Sequence, residues 1–353
     1  MIYQQQAHLP LIFQVDEDII LNIQDYLRRS KLMFTNVLVV SGASYSNEYA
    51  QAIADKNNWQ KYILETNTFT EVDKLKDYIN QNNIDLILGV GGGKVIDTVK
   101  RVSYLTNINN LSIPTIISND GLISPISVIM NDSGKTQSLP GMMPMGVIID
   151  INVIKNSSTE FIRSASGDLF SNLSASYDWI LAFKKDKENL NDIAYHLAKS
   201  AGNSLLYFKE LNLGSKTFLR LVVQGLVNSG IAMSLAGTSR PCSGSEHLIS
   251  HAIDFLDYSS GVSHGLQVGS ATFFTLYLHN KLKPVHINFG IESGIPLDFG
   301  SLITDFSTER FYEIMDKARE MRPGRYTILS ENDNDSLYEK YKAFQKVIAE
   351  SVS

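Results

Sequence analysis

The stretch Asp85-Leu-Ile-Leu-Gly-Val-Gly91-Gly-Gly93-Lys-Val-Ile-Asp97 decides the fold. Its first half is a short apolar run bounded by glycine, as a strand buried on both faces requires. Three glycines turn the chain, and from residue 94 to 105 apolar residues recur at helical spacing. A strand that passes through glycine into a helix can cradle a phosphate. Without Cβ atoms its backbone N–H groups approach a pyrophosphate closely, and the helix N-terminus adds a favourable field. Two common fingerprints do not fit: G-x-G-x-x-G needs glycine where Lys94 stands, and a Walker A loop needs Ser or Thr in place of Val95.

Outward from this element, strand and helix patterns alternate. Strands are predicted at 11–15, 36–42, 61–65, 85–90, 111–117 and 146–150, with helices at 18–30, 43–59 and 70–81. Thr70, three residues before Asp73, is close to a capping box for the last of these. Residues 124–130 fit a hairpin with the segment before Pro140. Strands separated by helices of this length predict a doubly wound parallel sheet, a Rossmann-like domain over residues 1–152. From 153 to 353 the period is helical, with helices at 159–184, 190–212, 218–236, 246–256, 264–280 and 308–319 and no convincing strand. The chain therefore reads as α/β plus all-α, two domains joined without a linker and sharing a ligand cleft.

Composition narrows the function. The 353 residues carry a formal net charge of −6, so the chain has no global attraction for nucleic acid or an anionic membrane. One cysteine, Cys242, excludes a disulfide framework and a cysteine-rich zinc site, leaving His and carboxylate as metal ligands. No charged, apolar leader opens the chain and no segment reaches the ~20 apolar residues of a bilayer span. A soluble, cytoplasmic protein is expected.

Three places carry chemistry. After the strand at 36–42 the chain reads Ser41-Gly-Ala-Ser44, with no acid to hold a ribose 2′-hydroxyl, so NADP is as credible a cofactor as NAD. The turn Ser118-Asn-Asp120-Gly121 follows another strand, placing Asp120 at a strand's carboxyl end, where α/β ligands bind. In the second half, His247 and His251 share a helix face and His264 follows 17 residues after His247. Asp168, expected to open a helix after a small-residue loop, could complete a metal set, while Asp178 reads as helix surface or a structural partner. The Glu of a zinc protease motif is missing between His247 and His251. Two His and a carboxylate with an open position suit a Lewis acid such as zinc that polarises an alcohol oxygen and favours hydride departure.

Gly91-Gly-Gly93-Lys94-x-x-Asp97, Ser118-Asn-Asp120-Gly-x-x-Ser124-Pro, Gly-Asp168-Leu-x-Ser-Asn, Gly-Ser-Glu-His247-x-x-x-His251-Ala-x-Asp and His264-Gly-x-Gln-Val-Gly occur in this order. Over residues 36–330 they resemble the metal-dependent, iron-type polyol dehydrogenases, with dehydroquinate synthase as a more distant relative. The stretches Ser239-Arg-Pro-Cys-Ser-Gly-Ser-Glu-His247, Ala175-Ser-Tyr-Asp-Trp179 and Arg322-Pro-Gly-Arg-Tyr-Thr-Ile-Leu329 are similar to the glycerol-1-phosphate dehydrogenase branch. The resemblance implies that Asp168, His247 and His264 bind one divalent metal, zinc first, with nickel or iron as alternatives. It places Asp120 and His251 on the substrate, and Gly91, Gly92, Gly93, Lys94, Asp97, Thr115, Ser118 and Ser124 on NAD or NADP. It implies a homo-oligomer that interconverts dihydroxyacetone phosphate and sn-glycerol 1-phosphate. Oxidation of unphosphorylated glycerol is the alternative. A dehydroquinate synthase-like lyase would need more basic residues than lie near these motifs. Arg163, Lys199 and Arg240 are the candidates for holding the phosphate.

Overall fold

The computed structural model describes residues 8–352 apart from 132–133, 209–210 and 260. It divides into two compact units, one comprising the chain up to Phe161 together with Gly214–Val223, the other Ile162–Leu213 with Gln224 onward.

The first unit is built on β1 (Ile12–Asp16), α1 (Ile23–Arg29), β2 (Val37–Gly42), α2 (Tyr45–Asn57), β3 (Gln60–Leu64), α3 (Phe69–Gln81), β4 (Leu86–Gly91), α4 (Gly93–Thr106) and β5 (Asn109–Pro114). A hairpin of β6 (Ile126–Met130) and β7 (Thr136–Pro140) follows, then β8 (Gly146–Asp150) and α5 (Ile151–Lys155). Six strands form one parallel sheet in the order β1-β8-β5-β4-β2-β3. Alternate residues of β2 serve opposite faces, as the two-residue strand period dictates. Val37 and Val39 pack with Ala50, Ile53 and Ala54 of α2, whereas Leu38 and Val40 pack with Val72, Leu75 and Ile79 of α3 and Val95 and Val99 of α4. Burial on both faces explains why these strands read as continuous apolar runs. From β2 the chain steps outward to β3, then crosses back to β4 and on to β5, so the glycine turn after β4 stands at the topological switch point.

Two local expectations are corrected. Residues 17–22 are not helical: Asp18 adopts φ 55°, and the buried Asp150 carboxylate accepts from the N–H groups of Ile19 (2.8 Å) and Ile20 (3.1 Å). The cap of α3 is Thr68, whose hydroxyl accepts from the Glu71 N–H, so the Thr70–Asp73 pair lies inside the helix. Gly214–Val223 belongs with this unit because Lys216 pairs with Glu17 (2.5 Å) and Arg220 with Asp16 (2.9 Å).

The second unit is helical, with no strand among its described residues. It contains α6 (Thr159–Lys184), α7 (Asp192–Ser204), most of α8 (Lys216–Ala236), α9 (Ser245–Phe255), α10 (His264–Leu278), α11 (Pro284–Ser293), α12 (Thr308–Glu320) and α13 (Asn334–Val352). The expected helix at 190–212 ends at Ser204 and continues as a single 3-10 turn, Leu205–Tyr207; its residues 209–210 lie outside the described residues. α11, opened by Pro284 in its first turn, and α13 were not anticipated. The expectation of no membrane-length apolar segment is also corrected. α8 is long and apolar enough to cross a membrane by length and composition, but it is mostly buried inside the protein, as a core helix is. Asp168 does not open a helix; it lies well inside α6, and the small residues Ser164–Gly167 before it are helical. Their smallness serves packing. A Cβ on Gly167 would lie 2.2 Å from the Gly265 carbonyl oxygen, one on Gly265 2.0 Å from that of Ser164, and one on Gly269 2.7 Å from Gly167 Cα. α6 and α10 therefore touch backbone to backbone, at the residues next to Asp168 and His264.

Candidate active site

The glycine crossing brings Asp168 of α6 beside His264, the first residue of α10. α9 brings His247, and one ligand atom from each of the three lies within 4.8 Å of the others. The His247 and His264 rings are 5.1 Å apart at their centroids, and His247 Nε2 stands 3.7 Å from Asp168 Oδ1. Asp168 and His247 are buried. His251, one turn along α9, stacks on His264 at 5.5 Å with 18° between the planes, and its centroid is 6.1 Å from that of His247.

The other ring nitrogen of each candidate ligand has a fixed partner. His247 Nδ1 lies 2.9 Å from Glu246 Oε1. Glu246 is fully buried and also accepts from the Gly244 N–H (2.6 Å) and the Ser174 hydroxyl (2.7 Å). His264 Nδ1 lies 3.1 Å from Ser250 Oγ, whose proton goes to Gln267 Oε1 (2.7 Å). The Gln267 amide is oriented in turn, donating to Asp254 (2.8 Å) and Ser259 (2.9 Å). Ser250 thus accepts from Nδ1–H, and both histidines are held in the tautomer that leaves Nε2 as a lone-pair donor. Burial, then the neighbouring His247, pushes the His264 ring down to about 3. Burial, His264 and His247 also hold His251 well below its ordinary value. Two imidazole nitrogens beside a buried carboxylate suit a borderline divalent ion such as zinc.

The N-terminus of α9 is positioned from a distance. Gly244 supplies no side-chain cap. Instead Asp178 of α6 accepts from the Ser245 N–H (2.6 Å) and hydroxyl (2.5 Å), from His279 Nε2 (3.0 Å) and from the Ile328 N–H (2.7 Å). Burial pushes the Asp178 carboxyl up, but His279 and the Ser245 hydrogen bonds outweigh it and hold it below the ordinary value. A carboxylate at a helix N-terminus also meets the favourable end of its dipole.

In the first unit, Gly91 ends β4, Gly92 caps α4 and Gly93 begins it. A Cβ at Gly91 would lie 2.7 Å from Val95 and one at Gly92 2.8 Å from Ile116, whereas Gly93 faces open space, with Lys94 exposed beside it. The Thr115 N–H donates to the Gly91 carbonyl (3.1 Å), bringing the ends of β4 and β5 together. Asp120 begins a 3-10 turn in which Asn119 accepts from the Gly121 N–H (2.9 Å) and the Ser124 N–H donates to the Asp120 carbonyl (3.2 Å). Ser118 leads into this turn, and Ser124 is buried behind it. Asp97 pairs with fully buried Lys100 at 2.8 Å, and Lys100 also donates to the carbonyls of Gly121 (2.5 Å) and Ile126. Lys100 thus ties the turn carrying Asp120 to α4.

Sequence reasoning missed Lys100, Glu246, Ser250 and Gln267. The last two stand three residues after His247 and His264, a spacing that puts them on the ligand faces of their helices. The three phosphate candidates are engaged elsewhere. Arg163 donates to the Ser293 carbonyl (2.9 Å), Lys199 to the Tyr195 hydroxyl (2.8 Å), and buried Arg240 to Glu188 (2.7 Å).

Comparison with known proteins gives the family and the fold. A profile described as iron-containing alcohol dehydrogenase matches residues 14–157. Glycerol dehydrogenase from Schizosaccharomyces pombe superposes with a TM-score of 0.78 at 18% identity, over 99% of this chain and 92% of that one, which shows a shared fold. A glycerol-1-phosphate dehydrogenase [NAD(P)+] from Saccharolobus islandicus (strain L.S.2.15) is 34% identical over 329 residues, 92% of each chain. One from Metallosphaera sedula is 32% identical over 335 residues, 94% of each. The chain belongs to the glycerol-1-phosphate dehydrogenase family of the iron-containing alcohol dehydrogenases.

Proposed function

We propose that this protein is a metal-dependent, NAD(P)-linked oxidoreductase that interconverts dihydroxyacetone phosphate and sn-glycerol 1-phosphate. The observation that carries the substrate is the 34% identity, over 92% of both chains, with a relative of that name. The convergence of Asp168, His247 and His264 supports the chemistry.

In this reading those three residues hold one divalent ion, zinc by their donor types, with nickel or iron as alternatives. When bound, the ion would act as a Lewis acid on the substrate oxygen, and the nicotinamide would exchange hydride with the substrate carbon. Glu246 and Ser250 hold the Nδ1 protons of His247 and His264, so that both Nε2 atoms stay aimed at one point. His251 contacts the substrate beside them; neutral, its ring accepts a proton at one nitrogen and donates at the other. In the first unit Gly91, Gly92, Gly93, Lys94, Asp97, Thr115, Ser118 and Ser124 contact the dinucleotide, Asp97 also pairs with Lys100, which holds the turn, and Asp120 on that turn contacts substrate. The end of β2, Ser41-Gly42, carries no acid to exclude a 2′-phosphate, which favours use of both NAD and NADP. The protein is proposed to be cytoplasmic and homo-oligomeric.

The test is a steady-state assay of dihydroxyacetone phosphate against dihydroxyacetone, with NADH and NADPH, before and after chelation and zinc re-addition. Turnover of the phosphate ester, lost with the metal and restored by it, is expected. Activity on glycerol with none on either phosphate ester would refute the substrate, and full activity of His247→Ala and His264→Ala would refute the metal ligands.

A further inference from the structure

Arg322-Pro-Gly-Arg325 follows α12 as a tight turn in which the Arg325 N–H donates to the Arg322 carbonyl (3.1 Å). Proline in the second place and Gly324 at φ 83° in the third are the chemistry such a turn demands, and the turn holds its first and fourth residues close together. Both of these residues carry a guanidinium group. Arg325 is braced: Nη1 donates to the Ser243 carbonyl (2.8 Å) and hydroxyl (3.0 Å), and Nη2 to the Ser239 hydroxyl (3.0 Å). Ser239 and Ser243 lie in the loop that leads into α9, the helix of His247 and His251. The Arg322 side chain is half-buried and has neither a hydrogen-bond partner nor a carboxylate within 4.0 Å among the described residues; Arg325 likewise has no ion pair.

A half-buried guanidinium with neither a hydrogen-bond partner nor a counter-ion, as in Arg322, is costly on its own. Burial, then Arg322 and Arg240, pushes Arg325 down to about 10, and burial lowers Arg322. Through Ser239 and Ser243 the turn is tied to the loop that opens the helix of His247 and His251. The Arg322 side chain differs from Arg163, Lys199 and Arg240, each of which has a partner in the protein.

We propose that the Arg322–Arg325 turn is the subsite for the substrate's phosphate monoester, with Arg322 donating to phosphate oxygens and Arg325 fixed as the second charge. A planar guanidinium with five donors suits a tetrahedral dianion, and an anion between the two groups supplies the missing counter-charge. The proposal rests on the phosphorylated-substrate reading, and the experiment separates the two.

The metal-loaded wild type, Arg322→Gln and Arg322→Lys are assayed with NADPH against dihydroxyacetone phosphate and dihydroxyacetone, with inorganic phosphate as inhibitor. Arg322→Gln is expected to lower kcat/KM for the phosphate ester by about 100-fold, chiefly through KM, and to weaken inhibition by inorganic phosphate in parallel. Arg322→Lys, which keeps the charge and loses the fork, falls between. Metal content of the variants equal to wild type shows that the fold is intact. A KM for the phosphate ester and a phosphate inhibition constant both within threefold of wild type in Arg322→Gln would overturn the subsite while leaving the substrate reading in place. A wild type that reduces dihydroxyacetone in preference to its phosphate would overturn the reading itself, whatever the variants do.

Discussion

Replacing Gly167 by alanine tests whether the helix crossing places the metal ligands. The new Cβ would fall 2.2 Å from the Gly265 carbonyl oxygen, and real Cβ contacts do not come under 3.0 Å, so α10 must retreat from α6 by about 0.8 Å. Neither side can yield as a flexible side chain would, because the contact is backbone. Asp168 follows Gly167 directly, and His264 directly precedes Gly265, so the displacement falls on the two ligands themselves. A metal site tolerates ligand distances within about ±0.2 Å. A shift several times larger should cost at least the ~10–100-fold in affinity typical of a lost supporting contact. Overpacking should also destabilise the protein by about 1–3 kcal/mol. The assay is competition for zinc with a chromophoric chelator, alongside urea unfolding of the metal-free protein. Weakened zinc binding with a modest loss of stability is expected. Affinity within threefold of wild type would refute the reasoning, because it would mean that the triad forms without the close approach. A His264→Ala protein sets the lower limit of binding.

Other contacts make separate predictions. Ser250→Ala removes the acceptor for His264 Nδ1 and should weaken zinc binding by ~10–100-fold in the same competition assay; a change under threefold would show that Ser250 does not set the tautomer. Lys100→Met leaves Asp97 unpaired and the Gly121 and Ile126 carbonyls without their donor, so urea unfolding should show a loss of about 3–5 kcal/mol, with a raised KM for the dinucleotide. Asp178→Asn should cost about 3–5 kcal/mol at pH 7 for the same reason. Because the Asp178 carboxyl is held below its ordinary value in the fold, its contribution is present above the unfolded value and lost as pH falls through the lower, folded one. Unfolding curves of wild type and Asp178→Asn should therefore converge below about pH 4, and a difference that stays constant with pH would rule out the charge as its origin.

Much of the architecture was legible because local pattern and burial coincide. β2 and β4 are apolar on both faces, and the glycines after β4 are demanded by Val95 and Ile116 packing over the turn. The helix ends that were misread depend on distant partners. Nothing near residue 18 signals that Asp150, far along the chain, will take the N–H groups of Ile19 and Ile20. The run Ser164-Ala-Ser-Gly167 has loop composition, and only the approach of α10 shows why a helix needs small residues there. A cation's worth to a ligand likewise depends on whether the protein already neutralises it, which the sequence alone does not show. Glu188 does so for Arg240, and no carboxylate does so for Arg322.

The same dependence explains why the sequence left Asp178 open as helix surface or structural partner, whereas the structure shows the second. Each candidate ligand sits on a helix whose position is set outside the triad. The glycine crossing sets Asp168 against His264, Ser250 and Gln267 set the His264 ring, and Glu246 sets the His247 ring. Asp178 sets where α9 begins, and through the Ile328 N–H it also holds the segment that follows the Arg322–Arg325 turn. One buried carboxylate on α6 is thus tied both to the helix of His247 and His251 and to the chain that presents the two arginines. The centre and the proposed phosphate subsite share a support. Loosening it should degrade metal affinity and phosphate recognition together, whereas Ser250→Ala should touch the first alone and Arg322→Gln the second alone.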